Sequence, residues 1–271
     1  MEIREAGRRS AVVQRMRALT RARGRREQGL LLVEGATVLR EALRAGLTVE
    51  QVVVDRRALE SGRCAALLEE LARAGVDQVY AAGDEVMASL STMATSHDLV
   101  AAVRPPAPRP VDWRRLVALD GVQDPGNVGA VLRCAAAFGF DGAWLGEGTA
   151  DAFQPKVLRA SAGAVFHLAL VQRVDLPAAL AGARRSGAVV YGLDAHHGED
   201  PRRCRFADRL VVLVGSEGRG VTPAAAQQVD HWLRIPTDPR VESLNAAAAA
   251  AVVLYEMAAA RYNNGQHDQR R

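Results

Sequence analysis

The sequence IPTDPRVESLNAAAAAAVVLYEMAAAR, residues 235–261, is the first strong constraint on the architecture of this chain. It leaves a predicted short strand (Trp232 to Ile235), crosses a proline-containing loop, and enters a helix that begins with six alanines, Ala246 to Ala251. Alanine is the best helix former, and its small side chain lets another backbone approach closely. Ser243 or Asn245 can cap the first turn of that helix. Alone, the stretch fits either a backbone cradle for a ligand at a tight interface or a surface loop followed by a packing helix.

Upstream of this stretch, short apolar segments alternate with helical ones. Strands are predicted at 115–122, 143–146, 166–171, 189–194, 210–215 and 232–236, with helical segments at 155–162, 177–186 and 223–229. The apolar runs do not alternate with polar residues, so we expect strands covered on both faces and therefore a parallel sheet. Ligands of such α/β sheets bind at the carboxyl ends of the strands.

Polar loops follow three of the predicted strands, at 120–133, 215–220 and 235–245. The loop GSEGRG (215–220) is not a phosphate-binding P-loop, since no Gly-Lys-Ser/Thr follows it, and it also lacks the spacing of a dinucleotide fingerprint. A single glycine-rich turn after a strand is most often only a turn. Three polar loops at one edge of a sheet predict a binding site.

The proline-rich segment RPPAPRPV (104–111) predicts a stiff linker between two domains. The predicted division is a domain at 1–104, a linker at 105–111, a second domain at 112–262 and a polar tail at 263–271. The first domain reads as a β-α-β-α-β module. It contains no nucleophile–base pair or metal cluster in its sequence, which favours binding over catalysis.

Basic residues are concentrated at the N-terminus of the 271-residue chain, which carries a formal net charge of +4. Residues 1–26 contain nine arginines but only two glutamates. The guanidinium group suits phosphate contacts, so residues 10–26 are expected to form a basic helix, or an arm that orders on a partner. The alternative is a solvated charged end. The candidates for phosphate contacts are Arg15, Arg21, Arg23, Arg25 and Arg26.

The cysteines argue for a reducing compartment. Cys64, Cys134 and Cys204 are odd in number and far apart, which is atypical of a disulfide framework. No metal-ligand spacing, signal peptide or apolar run of about 18 residues is present in the sequence. We therefore expect a soluble, cytoplasmic protein without a membrane span or a metal.

Three motifs resemble one known family. They are NxGxxxR (Asn127, Gly129, Arg133), GSEGxG (Gly215 to Gly220) and IPxxxxxESLN (Ile235 to Asn245), and their order and spacing resemble those of the SpoU or TrmH-type RNA 2′-O-ribose methyltransferases. The N-terminal LLVEGxxxLREAL resembles the L30e-like substrate-binding domain of the family. The resemblance implies an α/β fold: a C-terminal SPOUT domain with a parallel sheet and a deep trefoil knot, plus a smaller L30e-like domain.

The same resemblance implies the function and the partners. The expected reaction is S-adenosylmethionine-dependent methylation of a ribose 2′-hydroxyl in RNA, with 23S or other rRNA preferred over tRNA, in a homodimer formed through the C-terminal domain. The implied catalytic residues are Arg133, Asn127, Glu217, Ser243 and Asn245. The implied cofactor-binding residues are Leu193, Asp194, Gly215, Glu217, Gly218, Ile235, Pro236, Ser243 and Leu244. In the N-terminal domain, Glu34 and Gly35 join the five arginines as the expected RNA-binding positions.

Three positions depart from the family pattern and keep alternatives open. Thr237 and Pro239 stand where methionine and glycine are common, and Ala247 stands where a second serine is common. Proline fixes φ and removes an amide donor, which could reshape the cofactor loop. One alternative is thus a catalytically silent RNA-binding or ribosome-assembly protein of the same fold. The other alternative is a nucleotide-binding hydrolase or dehydrogenase. The sequence lacks the phosphate-binding loop that such an enzyme would require.

Overall fold

The computed structural model describes residues 2–92, 97–107 and 112–268, and of residues 260–268 only the backbone. The chain divides into two compact units, residues 1–107 with 153–166 (unit 1) and residues 108–152 with 167–271 (unit 2). The second half of the predicted linker, 108–111, and the end of the predicted tail, 269–271, lie outside the described residues. None of the described helices is long and apolar enough to span a bilayer.

Unit 1 is a five-stranded mixed sheet with helices. Its strands are β1 (Ile3–Glu5), β2 (Leu31–Glu34), β3 (Val49–Asp55), β4 (Val79–Ala82) and β5 (Leu99–Val103), in the spatial order β1-β4-β3-β5-β2. β5 runs antiparallel to both β2 and β3. The helices are α1 (Ala11–Leu19), α2 (Ala22–Gln28), α3 (Ala36–Arg44), α4 (Arg56–Glu60), α5 (Ala65–Arg73) and α6 (Asp84–Leu90). The sequence missed β1 and α4.

The basic N-terminus folds into a helical hairpin, α1–α2, that is part of unit 1. Four apolar side chains of α1 lie in the core, each at most 7% exposed: Val12, Val13, Met16 and Leu19. Gly24 packs so closely that a Cβ there would lie 2.1 Å from the carbonyl oxygen of Ala18. The buried Arg25 guanidinium donates to the carbonyl oxygen of Leu19, at the end of α1. Of the two forms expected from sequence, the helical one is therefore present.

Unit 2 is a six-stranded sheet in which every described strand pair is parallel. The strands are β6 (Arg115–Asp120), β7 (Gly142–Gly146), β8 (Ala169–Val174), β9 (Val189–Leu193), β10 (Leu210–Gly215) and β11 (His231–Leu233), in the order β11-β9-β10-β6-β7-β8. The parallel sheet expected from the apolar runs is confirmed. Because all six strands run in one direction, the loops after β6, β9, β10 and β11 leave the same edge.

The helices complete both units. α7 (Pro125–Ala137), α9 (Leu176–Arg185), α10 (Pro223–Ala226) and α11 (Ala246–Asp268) belong to unit 2, whereas α8 (Pro155–Ala160) belongs to unit 1. α11 begins at the first alanine of the run, as expected. The trefoil knot stays a prediction.

Two strand predictions were wrong in their bounds. The segment predicted as a strand at 166–171 starts in a 3₁₀ helix, Ala164–His167, and the strand begins only at Ala169. The backbone turns first, because Ala162 and Gly163 have positive φ values of 50° and 82°. The strand predicted at 232–236 ends at Leu233. Its next amide, that of Arg234, donates to the carbonyl of Glu199, and Pro236 has no amide hydrogen to continue a ladder.

Candidate functional site

A cleft of about 520 Å³ opens at the carboxyl edge of the unit 2 sheet. It lies between the ends of β9, β10 and β11 and the start of α11. Every residue expected from sequence to bind a cofactor lines this cleft, with the exception of Pro236. Its volume is within the range of about 300–1,000 Å³ that is usual for small-molecule sites. The geometry thus gathers the residues that the resemblance singled out after three separate strands.

The turn at residues 215–220, which we call the glycine turn, is closed by its own backbone. The amide of Ser216 donates to the carbonyl of Gly220 at 3.0 Å, and the amide of Gly220 donates back at 2.8 Å. Gly215 lies against the returning chain, because a Cβ there would be 2.2 Å from the carbonyl carbon of Gly220. The tip of the turn, Glu217 to Arg219, is exposed and lines the cleft.

Replacing Gly215 by alanine is expected to open the glycine turn and weaken ligand binding in the cleft. The new methyl group would meet backbone atoms, which cannot move aside as a flexible side chain can. Isothermal titration of S-adenosylmethionine into the variant should show at least about tenfold weaker binding, the usual cost of overpacking a close contact (about 1–3 kcal/mol). The control is Gly182→Ala in α9, outside the described cleft lining, where a Cβ would meet only the Arg185 guanidinium at an ordinary contact distance of 3.7 Å. Equal affinities in Gly215→Ala and wild type would contradict this account of the turn.

A hydrogen-bonded cluster joins the three motif loops. The Nδ2 group of Asn127, on α7, donates to Oε1 of Glu217 at 2.7 Å. The Nδ2 group of Asn245 donates to the same oxygen at 2.5 Å and to Oδ1 of Asn127 at 3.0 Å. Segments more than 100 residues apart along the chain therefore meet at one carboxylate. We call these three side chains the Asn–Glu–Asn cluster.

Asn245 has a second function as the N-cap of α11. Its Oδ1 accepts hydrogen bonds from the amides of Ala247 and Ala248, at 2.9 and 3.2 Å. Of the two caps expected from sequence, the structure selects Asn245, while Ser243 is exposed and lines the cleft. An asparagine suits both tasks because it offers an acceptor and two donors at once. Neither aspartate nor serine does so.

The loop after β9 is organised by Asp194. Its Oδ1 accepts hydrogen bonds from the amides of His196 and His197, at 2.7 and 3.0 Å, and lies 2.8 Å from Nδ1 of His197. Partial burial by itself raises the pKa of the Asp194 carboxyl, but the two amide donors outweigh it together with the nearby histidines, and the net pKa is lowered. The carboxylate at the cleft wall is therefore charged at neutral pH.

Two departures from the family pattern are accommodated locally. Pro239 lies inside a turn closed by the Val241 amide, which donates to the Asp238 carbonyl at 2.9 Å, so the fixed φ of proline suits its position. The Asp238 carboxylate also accepts from the Arg240 amide at 3.0 Å. Ala247 is 7% exposed on the buried side of α11. Neither residue obstructs the described cleft.

Arg133 and Asn127 are both on α7, but only Asn127 reaches the Asn–Glu–Asn cluster. Arg133 is exposed, and among the described residues it is not part of the cleft lining. Its guanidinium is accessible to a ligand that approaches from solvent. The lining also includes Thr237, singled out from sequence only as a departure from the family pattern, and three side chains that were not proposed as site residues: His196, Arg219 and Glu242. Only their positions after strand ends could have indicated them.

The residues expected to bind RNA separate into two groups in unit 1. Arg21, Arg23 and Arg26 are exposed on the α1–α2 hairpin. The other members are buried or partly buried and contact residues of unit 1. Arg15 pairs with Glu50 at 2.7 Å, and Arg25 is 8% exposed. The Glu34 side chain is fully buried, 3.0 Å from a guanidinium nitrogen of Arg159. Gly35 has a φ of 88° and packs against the His97 ring.

Two known protein families match the chain, one in its C-terminal part and one in its N-terminal part. Residues 114–255 match the SpoU rRNA methylase family. Residues 11–101 match the MRM3-like substrate binding domain. The first match spans the sheet of unit 2 and all three motif loops. The second spans the helical hairpin and the other described elements of unit 1 between α1 and the middle of β5.

Individual relatives resemble the chain over nearly its whole length. The 23S rRNA (guanosine(2553)-2′-O)-methyltransferase RlmP of Bacillus subtilis is 32% identical over 234 residues, which are 86% of this chain and 90% of that protein. Among solved structures, the SpoU methyltransferase AviRb of Streptomyces viridochromogenes in complex with AdoMet has a TM-score of 0.80 at 29% identity, covering 94% and 99% of the two chains. A structure described as an RNA 2′-O ribose methyltransferase has a TM-score of 0.79 at 25% identity, covering 96% and 100%.

Proposed function

Since this chain belongs to the SpoU rRNA methylase family, we propose that it transfers a methyl group from S-adenosylmethionine to a ribose 2′-hydroxyl in RNA, with ribosomal RNA as the substrate. The observation that carries the proposal is the Asn–Glu–Asn cluster, which unites the three motif loops beside the cleft. The relative RlmP is, by its name, a 23S rRNA 2′-O-methyltransferase. We propose the cytoplasm as the compartment of this reaction, because ribosomal RNA is the proposed substrate.

The cleft has the shape and charge that suit this cofactor. Leu193, Ile235 and Leu244 offer apolar surface for a purine ring. Three carboxylates, those of Asp194, Glu217 and Glu242, line the described cleft against the single arginine Arg219. S-adenosylmethionine carries positive charges on its sulfur and its amino group, so an excess of acidic groups favours it. When bound, the cofactor supplies a methyl group activated on a positively charged sulfur.

The residues around the cleft would then align the two reactants. In-line displacement depends strongly on orientation, and correct placement alone can contribute several kcal/mol. Glu217 holds the amide groups of Asn127 and Asn245, so one carboxylate sets the relative positions of α7, the glycine turn and the start of α11. Ser243 borders the cleft next to this cluster. We assign these four residues to positioning the cofactor and the ribose.

Arg133 is the residue that we assign to the phosphate beside the target ribose. A guanidinium is protonated at all physiological pH values, so it is a poor general base. It can bind a phosphate through two parallel hydrogen bonds and stabilise the alkoxide that develops as the hydroxyl loses its proton. The proton then passes to the phosphate or to water. The exposed position of Arg133 on α7 supports a contact made only when RNA is present.

Two copies of the chain are proposed to pair through unit 2. The support is apolar surface on α11, where Val252 and Tyr255 are 40% and 56% exposed. Tyr255 packs edge-on against Phe138, the residue that follows α7, with the ring centroids 5.7 Å apart. The same helix, α11, is capped by Asn245 at the cleft. Pairing through its exposed apolar residues would therefore place the interface close to the cleft.

Neutralising the α1–α2 hairpin is expected to weaken RNA binding and reduce its salt dependence. The variant Arg21→Gln/Arg23→Gln/Arg26→Gln removes three exposed guanidinium groups and leaves the core of unit 1 unchanged. Each lost phosphate contact reduces the magnitude of the slope of log K against log salt by about 0.7–0.9, so the loss of three contacts reduces it by about 2.1–2.7. RNA affinity measured by filter binding between 50 and 200 mM salt checks this. Cofactor affinity should not change.

The matched control replaces three exposed arginines elsewhere in unit 1, Arg44, Arg57 and Arg73, by glutamine. Its salt slope should remain close to that of wild type. Equal slopes for the hairpin variant and wild type would refute the hairpin as a phosphate-binding surface. Deleting residues 1–26 is a poor substitute for this experiment, because it would also remove β1 and the buried face of α1.

The proposed activity is tested by incubating the purified protein with methyl-labelled S-adenosylmethionine and RNA. Unmodified 23S and 16S rRNA and a tRNA pool serve as separate substrates. Label in rRNA supports the proposal, whereas label confined to tRNA would reassign the substrate. Cofactor binding without transfer to either pool would indicate a catalytically silent RNA-binding protein of the same fold.

A further inference from the structure

A buried aspartate holds the glycine turn at both of its ends. Asp120 is the last residue of β6, is 7% exposed, and lies opposite Gly215 in the β6–β10 register. Its Oδ2 accepts one hydrogen bond from the amide of Thr222 at 2.7 Å and another from the Thr222 hydroxyl at 2.8 Å. Asp120 is thus next to the residue where the turn begins and is bonded to the chain where it returns.

The hydroxyl of Thr222 is committed to this contact. Thr222 is the N-cap residue of α10, a position where a threonine hydroxyl usually accepts a hydrogen bond from an amide of the first turn. The structure shows no such side-chain cap at Thr222. The hydroxyl donates to Asp120 instead. The Thr222 side chain therefore bonds to the end of β6 instead of capping α10, and it does so two residues after the glycine turn ends.

This contact and the Asn–Glu–Asn cluster join two chain segments at both of their ends. One segment runs from Asp120 to Asn127 and the other from Glu217 to Thr222. Asn127 bonds to Glu217 at one end, and Asp120 bonds to Thr222 at the other. The Asn127–Glu217 bond is solvent-exposed, whereas the Asp120 carboxylate is buried and bonds to charged groups are stronger where water is excluded.

We infer that Asp120 is a positioning residue for the cofactor site. It fixes the glycine turn relative to β6, and through the turn it places Gly215, Glu217 and Gly218, which line the cleft. This inference rests on the proposed function. It adds a residue that belongs to neither the described cleft lining nor the Asn–Glu–Asn cluster, yet sets the geometry of both.

The test is cofactor affinity in the full-length protein, measured by titration with S-adenosylmethionine. Asp120→Ala and Thr222→Val are each expected to weaken binding about tenfold, the scale of losing a hydrogen bond to a charged group. The double variant should bind like Asp120→Ala, because that substitution already removes the hydroxyl bond that Thr222→Val removes. Thr222→Ser keeps the hydroxyl and should restore affinity to within about twofold of wild type.

Asp175→Ala is the matched control. Asp175 caps α9 in the same unit, where its carboxylate accepts a hydrogen bond from the amide of Ala178. This variant should lower the melting temperature without changing cofactor affinity. The inference is overturned if Asp120→Ala and Thr222→Val bind like wild type, if Thr222→Ser fails to restore binding, or if Asp175→Ala has the same effect on affinity. Should Asp120→Ala fail to fold, Thr222→Val and Thr222→Ser alone decide.

Failure of this inference is distinguishable from failure of the proposed function. A wild-type protein that does not bind S-adenosylmethionine overturns the proposed function and this inference with it. A wild-type protein that binds the cofactor and methylates RNA, with unchanged affinity in the variants, overturns only the role of Asp120.

Discussion

Glu217→Ala is expected to lower the rate of methyl transfer to RNA by about a hundredfold, because an error of about 1 Å in the alignment of reactants costs that much. The alanine removes the oxygen that accepts both amide donors of the Asn–Glu–Asn cluster. The glycine turn, α7 and the start of α11 then lose the carboxylate that joins them. Single-turnover rates at saturating RNA and cofactor measure the effect. Because Glu217 is exposed, the melting temperature should change little.

Glu217→Gln separates geometry from charge. The glutamine oxygen can still accept from one or both asparagine amides, so this variant should retain more activity than Glu217→Ala. Asp208→Ala, which removes an exposed carboxylate in the loop before β10, serves as the control and should react like wild type. A Glu217→Ala enzyme with wild-type single-turnover rates would contradict the positioning role of the cluster.

Arg133→Ala is expected to slow methyl transfer by about a hundredfold to a thousandfold, the usual cost of removing one donor that stabilises a developing oxyanion. Cofactor affinity should remain unchanged, since Arg133 does not belong to the described lining of the cleft. Arg133→Lys should recover only part of the rate, because an ammonium group cannot form two parallel hydrogen bonds to a phosphate. Single-turnover kinetics with saturating RNA distinguish this loss from weaker RNA binding.

Arg185 provides the control for this experiment. It is an exposed arginine at the end of α9, just before β9 begins, and so lies near the opposite edge of the sheet from the cleft. Arg185→Ala should leave the single-turnover rate unchanged. Near-normal turnover in Arg133→Ala would show that the guanidinium takes no part in the chemical step.

Much of unit 2 could be predicted because its signals are local. The strand at 210–215 is a continuous apolar run, and its six residues are the ones found in β10. The alanine run likewise fixed the start of α11. The polar loops were expected at one edge because parallel strands end together. The predicted start of β8 was wrong, because positive φ values at Ala162 and Gly163 turn the chain before the strand and carry no strong sequence signal.

The contacts within the site could not be predicted, because they depend on partners distant along the chain. Nothing near Asp120 in the sequence indicates that its carboxylate bonds to Thr222, 102 positions away. The same applies to Arg25, which looks like its exposed neighbours in sequence but is buried against the end of α1. Composition identified a basic segment, and only the fold separates its surface arginines from its structural ones.

The central claim is that the methylated atom is the ribose 2′-oxygen, and alkaline hydrolysis of the labelled RNA tests it most directly. A 2′-O-methyl group blocks the hydroxyl that cleaves the adjacent phosphodiester bond. The label should therefore appear in alkali-resistant dinucleotides, and Glu217→Ala and Arg133→Ala should abolish most of it. Label recovered in mononucleotides would show that a base is methylated instead, and it would contradict the claim.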